Sequence, residues 1–168
     1  MTTFQVAGPY VIPAVRKKGG WVIPPDPELK DFWSNVDCAD QTGCYIFCYQ
    51  HGKCITPIYV GRATERSLRE EALAPHKRSA HYLPSMAEHQ RGAFSIIFVT
   101  AAASRGAPPS AKIKELEMEL IEHAYHANRD LSNVKGKPDY GYSIQGVLRS
   151  PRGKPSQSAL TLRATLRL

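Results

Sequence analysis

Hydrophobic residues gather in two short runs at positions 45–49 and 55–60, separated by the polar loop Gln50-His51-Gly52-Lys53. Apolar runs around a glycine-containing loop predict a β-hairpin. Pro57 removes one ladder donor, so the second strand belongs at a sheet edge or carries a bulge. The run Phe94-Ser95-Ile96-Ile97-Phe98-Val99 predicts a strand buried on both faces. Between them, Thr64 is placed to cap a helix through Leu68, Ala72 and Leu73 that stops before Pro75. Positions 84–91 suggest a second short helix. From Pro109-Ser110 to about His126, Ile113, Leu116, Leu120, Ile121 and Ala124 recur at helical spacing. The expected fold is α+β, with a three-stranded, mainly antiparallel sheet flanked by helices.

Positions 1–36 follow another pattern. Gly8-Pro9, Pro13, Gly19-Gly20, Pro24-Pro25 and Pro27 break them into pieces such as Tyr10-Val11-Ile12 and Trp21-Val22-Ile23. This reads as an N-terminal arm of extended pieces and turns. A short helix at Asp31-Phe32-Trp33 leads from it into the main domain at 37–135. Arg16-Lys17-Lys18 is either a phosphate contact or a solvated turn. Positions 136–168 read as a basic extension, packed on the body through Leu160, Leu162, Leu166 and Leu168 or trailing from it.

The predicted long helix carries four glutamates. On a wheel of about 100° per residue, Glu115, Glu119 and Glu122 face solvent, while Glu117 falls inside the apolar stripe between Ile113 and Ile121. A carboxylate there pays a desolvation cost unless it is paired or holds a metal. An edge-of-core ion pair and a metal ligand are both open on this ground.

Charge and cysteines narrow the class. The formal net charge of +7 favours a polyanionic partner. From Gly136 onward, Lys137, Arg149, Arg152, Lys154, Arg163 and Arg167 face only Asp139, a net +5 of that total. Ser150-Pro151-Arg152-Gly153-Lys154-Pro155 therefore suits either phosphate gripping or solubility. Cys38, Cys44, Cys48 and Cys54 lie close together but lack a Cys-x-x-Cys knuckle, which favours packed, reduced thiols over a zinc site with His51. No apolar run reaches membrane-span length and no apolar signal core opens the chain, so a cytoplasmic protein without membrane contact is expected.

Gly43-Cys44-Tyr45 and Tyr59-Val60-Gly61, one on each predicted hairpin strand, resemble the two motifs of the GIY-YIG endonucleases. Cys44 departs from the isoleucine or valine usual in the first. Eight positions beyond Gly61 is Arg69, matching the family's helical arginine. Glu117-Met118-Glu119-Leu120-Ile121 fits the run around its catalytic glutamate, and Asn133 is the candidate for its later asparagine, with Asn128 the weaker one. The resemblance covers roughly positions 40–135.

The resemblance implies a metal-dependent endonuclease hydrolysing phosphodiester bonds in DNA, with a Mg²⁺ (or Mn²⁺) ion held by Glu117 alone. It implies Arg69 as the cation on the scissile phosphate. Either tyrosine is open as the base, Tyr45 placed first and Tyr59 positioning the water or phosphate, or both pack across strands. Gly61, Arg62, His76 and Asn133 complete the candidate substrate contacts, although a lone His76 after Pro75 reads more readily as a loop residue. Arg66 reads best as an ion pair with Glu70. A restriction, defence or structure-specific nuclease fits better than a homing enzyme. The alternatives are a non-cleaving nucleic-acid-binding module, an RNA-directed nuclease, and a zinc-bound structural domain. With one catalytic set per chain, double-strand cutting needs two nicks or a homodimer.

Overall fold

A computed structural model describes residues 2–101, 110–133 and 154–166. The chain divides into two units, 1–137 and 138–168. In the first, β1 (Phe4–Val11) is followed by a ribbon of β2 (Val15–Lys17) and β3 (Gly20–Val22), then a 3₁₀ turn at Asp26–Leu29 and α1 (Lys30–Ser34). The expected hairpin follows as β4 (Gly43–His51) and β5 (Cys54–Ala63). Next come α2 (Leu68–Ala72), α3 (Pro75–Lys77), a π-helical turn at Arg78–Tyr82, α4 (Leu83–Ala87), β6 (Ala93–Ala101) and α5 (Ser110–Ala127).

The main sheet has four antiparallel strands, not three, in the order β1-β6-β4-β5. The extra strand comes from the proline- and glycine-rich segment. Register shifts between Ala7 and Tyr10, where Gly8 takes φ 105° and Pro9 contributes no donor, and pairing with β6 then resumes at Tyr10↔Ile96. An edge strand tolerates this interruption. The opposite edge is β5, where Pro57 lies beside a register shift between Phe47 and Cys48, so edge position and bulge occur together.

Strand periodicity separates two cores. Tyr45, Phe47 and Tyr59 share one face with Phe94, Ile96 and Phe98, against Leu29, Trp33, Leu68, Tyr82 and Met86. Phe47 stacks on Tyr82 with centroids 4.0 Å apart. On the other face, Cys44, Val60 and Val99 meet Ile113, Ile121 and Ala124 of α5 and Leu131 beyond it. The helical stripe read from the sequence is the buried one, although Leu116 and Leu120 are only half-buried. The helix expected over 84–91 is shorter and begins earlier, at Leu83.

Ser67, rather than Thr64, caps α2: its hydroxyl accepts from Glu70 N, and the Glu70 carboxylate accepts from Ser67 N at 2.9 Å. This is the reciprocal capping box. These bonds hold the Glu70 carboxyl below its usual range, with Arg66 adding a smaller contribution. In the second unit, α6 (Gln157–Leu166) starts at Ser156, whose hydroxyl accepts from Ala159 N at 3.2 Å. Positions 136–153, 167 and 168 of the basic extension expected over 136–168, and the helix start at Pro109, lie outside the described residues.

Candidate active cleft

Edge strand β5 delivers alternate side chains to opposite faces of the sheet. Tyr59 and Gly61 stand on the aromatic face, opposite Phe47 and Tyr45, while Val60 and Arg62 stand on the face covered by α5. Asn133 holds β5 from its free side. Its Oδ1 accepts from Val60 N and its Nδ2 donates to Val60 O, both at 2.7 Å. Both ends of the amide are engaged by backbone, so Asn133 acts on the site as a brace.

Gly61 permits a close approach. A Cβ built there would lie 2.5 Å from the Tyr45 ring and hydroxyl, so the phenol occupies the space a side chain would take. Tyr45 is fully buried and its hydroxyl has no hydrogen-bond partner among the described residues. Burial, helped by the neighbouring Tyr82 and Tyr59, pushes its pKa far above the ordinary phenol value. It is therefore a neutral phenol near neutral pH.

Where β5 leaves the sheet, a cleft of about 320 Å³ opens, lined by Arg62, Ala63, Thr64, Glu65, Arg66, Glu71, Lys77 and Glu117. Glu117 reaches it from α5 and accepts a hydrogen bond from the Arg62 guanidinium. The Glu117 side chain is 13% exposed and that of Arg62 40%, so the carboxylate is the more desolvated partner. The position read from the helical wheel is thus both buried-edge and paired. Lys77 enters from the other side. Its Nζ donates to the Tyr59 hydroxyl at 3.0 Å and lies 3.5 Å from Glu71. Burial alone would lower the Lys77 pKa; the Tyr59 bond and the Glu71 charge outweigh it and raise the ammonium above its ordinary value. His81 packs on the Tyr59 ring at 4.4 Å and shares a hydrogen bond with Ser132 at 3.1 Å. Burial, then the Lys77 and His76 charges, lower its pKa, favouring the neutral imidazole.

The cleft thus brings together Glu117, Arg62 and Lys77, with Tyr59 beside them through Lys77. Other expected site residues stand apart. Arg69 pairs with Asp40 at 3.1 Å in an exposed position and does not line the cleft. His76 is exposed, 3.9 Å from Glu71. Arg66 lines the cleft, while Glu70 is occupied by its cap. Asn128 donates to Pro57 O at 2.7 Å, a second tie to β5. Sequence reading missed Lys77, His81 and Glu71. The spacing Lys77-x-x-x-His81 could have marked a shared helical face, but nothing local announces their meeting with Tyr59.

The four cysteines are free thiols. Among the described residues, no group of three or more His, Cys, Asp or Glu side chains is arranged to hold a metal. The cleft instead offers three carboxylates, Glu65, Glu71 and Glu117, and no imidazole or thiolate among its lining residues. That donor set fits a hard cation that keeps most of its water, with Glu117 as the inward ligand. No helix among the described residues is long and apolar enough to cross a membrane. No protein-family model, curated protein or solved structure matches the chain.

Proposed function

We propose that the protein is a metal-dependent endonuclease that hydrolyses phosphodiester bonds in DNA, of restriction, defence or structure-specific type. The observation that carries this reading is Glu117. A largely desolvated carboxylate meets the Arg62 guanidinium in a cleft of about 320 Å³ that Lys77 also lines, with room for a phosphate. Such an arrangement suits binding and polarising a phosphodiester.

In this reading Arg62 releases Glu117 when substrate enters and turns its guanidinium to a non-bridging phosphate oxygen. Lys77 offsets the charge that grows on the phosphate. Lys77 already donates to the Tyr59 oxygen, leaving the phenolic proton for another acceptor. Tyr59 thereby holds and orients the attacking water; Tyr45, neutral and enclosed, supports it from behind. Lewis-acid polarisation of the scissile phosphate and its leaving oxygen is the chemistry that a Mg²⁺ or Mn²⁺ ion held at Glu117 supplies.

A second reading has its own observation. The Arg62–Glu117 hydrogen bond closes the carboxylate against a guanidinium, as a structural ion pair would. A binding module that does not cleave would keep this pair shut. Incubation of supercoiled plasmid with Mg²⁺ separates the two: nicking supports the nuclease, and retention on DNA without nicking supports the binder. Cleavage of RNA alone would move the substrate class.

A further inference from the structure

The β4–β5 hairpin has two ends. The cleft lies at one, by Arg62. At the other, near the turn His51-Gly52-Lys53, the segment 88–92 packs on β4 and carries the ribbon β2–β3 in turn. The ribbon β2–β3 is tied there by the Arg16 guanidinium, which donates to Gln90 O, and by Trp21 Nε1, which donates to His89 O at 2.7 Å. Tyr49 donates to Arg91 O at 2.8 Å and stacks on His89, centroids 3.7 Å apart and planes 11° apart. His51 continues the set, its ring within 4° of parallel to Tyr49 and exposed. Gly92 sits so close that a Cβ would meet Gln50 O at 2.6 Å.

The segments joined by these ties, 15–22, 49–54 and 88–92, carry Arg16, Lys17, Lys18, Lys53 and Arg91, all exposed, and one carboxylate, Glu88. None of the five pairs with a carboxylate among the described residues. Elsewhere in this unit two exposed arginines are paired, Arg62 with Glu117 and Arg69 with Asp40, and exposed Arg129 lies over the Tyr125 ring. The cationic end therefore carries five exposed cations without an ion pair among the described residues. Eight steps along β5 lead from Cys54 to Arg62, roughly 26 Å at about 3.3 Å each. Duplex DNA covers that span in roughly eight base pairs, at about 3.4 Å per step.

We propose that this end is a second, sequence-independent phosphate-binding surface that grips the nucleic-acid backbone away from the cleft. The inference rests on the nuclease reading and adds to it a footprint longer than the cleft. Its contacts are Lys17, Lys18 and Lys53, with Arg91 beside them. Arg16 holds the ribbon in place, and His51 presents an aromatic edge among the cations.

The test is a triple variant, Lys17→Gln, Lys18→Gln and Lys53→Gln, which leaves Arg16 and the whole cleft intact. Binding of the parent and variant to a 25-base-pair duplex is measured without metal from 50 to 200 mM salt. Each lost phosphate contact reduces the slope of log affinity against log salt by about 0.9, so a reduction of roughly 2 to 3 is expected. Affinity at 50 mM salt should fall at least about tenfold, with an unchanged circular dichroism spectrum. Equal slopes and affinities for the two proteins, with a parent that binds DNA, would overturn this inference alone. A parent that binds neither DNA nor RNA would overturn the nuclease reading with it. Full DNA affinity in the variant, together with lost binding to vesicles of anionic lipid, would assign the surface to a membrane instead.

Discussion

Asn133 supplies the strand partner that the edge of β5 lacks: its amide bonds both the N–H and the carbonyl of Val60, one residue before Gly61. The side chain comes from the loop after α5, so one residue couples the helix bearing Glu117 to the strand bearing Tyr59 and Arg62. Asn133→Ala strands two buried backbone groups, each worth about 1 to 3 kcal/mol if left unsatisfied. A loss of roughly 2 to 4 kcal/mol is expected in urea denaturation. Asn133→Asp keeps only the acceptor and should lose at least as much. An Ala variant of parental stability would show that the brace carries no weight.

The approach of Tyr45 to Gly61 gives two opposite expectations. Gly61→Ala forces a methyl into an enclosed ring and should destabilise by about 1 to 3 kcal/mol. Tyr45→Phe removes a buried hydroxyl that has no partner among the described residues, so thermal stability should hold or rise. Paired measurement of melting temperature and nicking rate on Tyr45→Phe is informative. A stable but slow enzyme would mean that the hydroxyl serves the reaction, and a stable, fully active one would remove it from the mechanism.

Lys77 and Arg69 can be ranked directly. Lys77 lines the cleft and Arg69 does not. Lys77→Met should lower the nicking rate by about 10² to 10³, the usual range for a lost charge-stabilising donor. Arg69→Ala should cost less than about tenfold. The reverse order would restore the role that the family resemblance gave to Arg69.

Thiol reactivity checks the packing around the hairpin. Cys38, Cys44 and Cys48 are buried, and burial pushes the thiols of Cys44 and Cys48 up to about 12. Cys54 is exposed. An aromatic disulfide reagent at pH 8 should therefore modify one thiol quickly in the native protein and four after denaturation. Rapid modification of two or more in the native protein would contradict the packing.

Acid stability follows His81. Its folded pKa lies below the ordinary value, so the unfolded chain binds its proton first as pH falls. Stability should be complete above about 6.5 and decline below that value, down towards the folded pKa. His81→Asn should flatten this part of the stability–pH curve, measured by urea midpoints at fixed ionic strength. An identical slope in the variant would remove His81 as the cause.

Much of this arrangement is legible from periodicity, because periodicity reports burial. The stripe on α5 placed Glu117 inside it, between Ile113 and Ile121, where its side chain is mostly covered, and the run at 94–99 gave a strand buried on both faces. Pro57 announced an edge strand or a bulge, and β5 has both. The fourth strand was hidden because Gly8 and Pro9 signal a turn locally; pairing with β6 on either side of them is a tertiary outcome. Thr64 and Ser67 are both plausible caps, and the deciding partner, Glu70, sits three residues after Ser67. Lys77 is the clearest loss. Its bond to Tyr59 depends on how α3 and the π-helical turn fold back over β5, which no local pattern encodes. Arg69 was carried by motif spacing alone, and the short α2 turns it toward Asp40.

The central claim is that Glu117 is a working carboxylate rather than half of a structural ion pair. The most direct measurement is the rate of nicking of supercoiled plasmid with and without Mg²⁺, for the parent and Glu117→Gln. The parent should nick only with the metal, and the variant should lose at least about 10²-fold in rate while keeping the parental circular dichroism spectrum and most of its DNA affinity. Undiminished Mg²⁺-dependent nicking by Glu117→Gln would contradict the proposed role of Glu117, and a parent that binds DNA without cleaving it would contradict the nuclease itself.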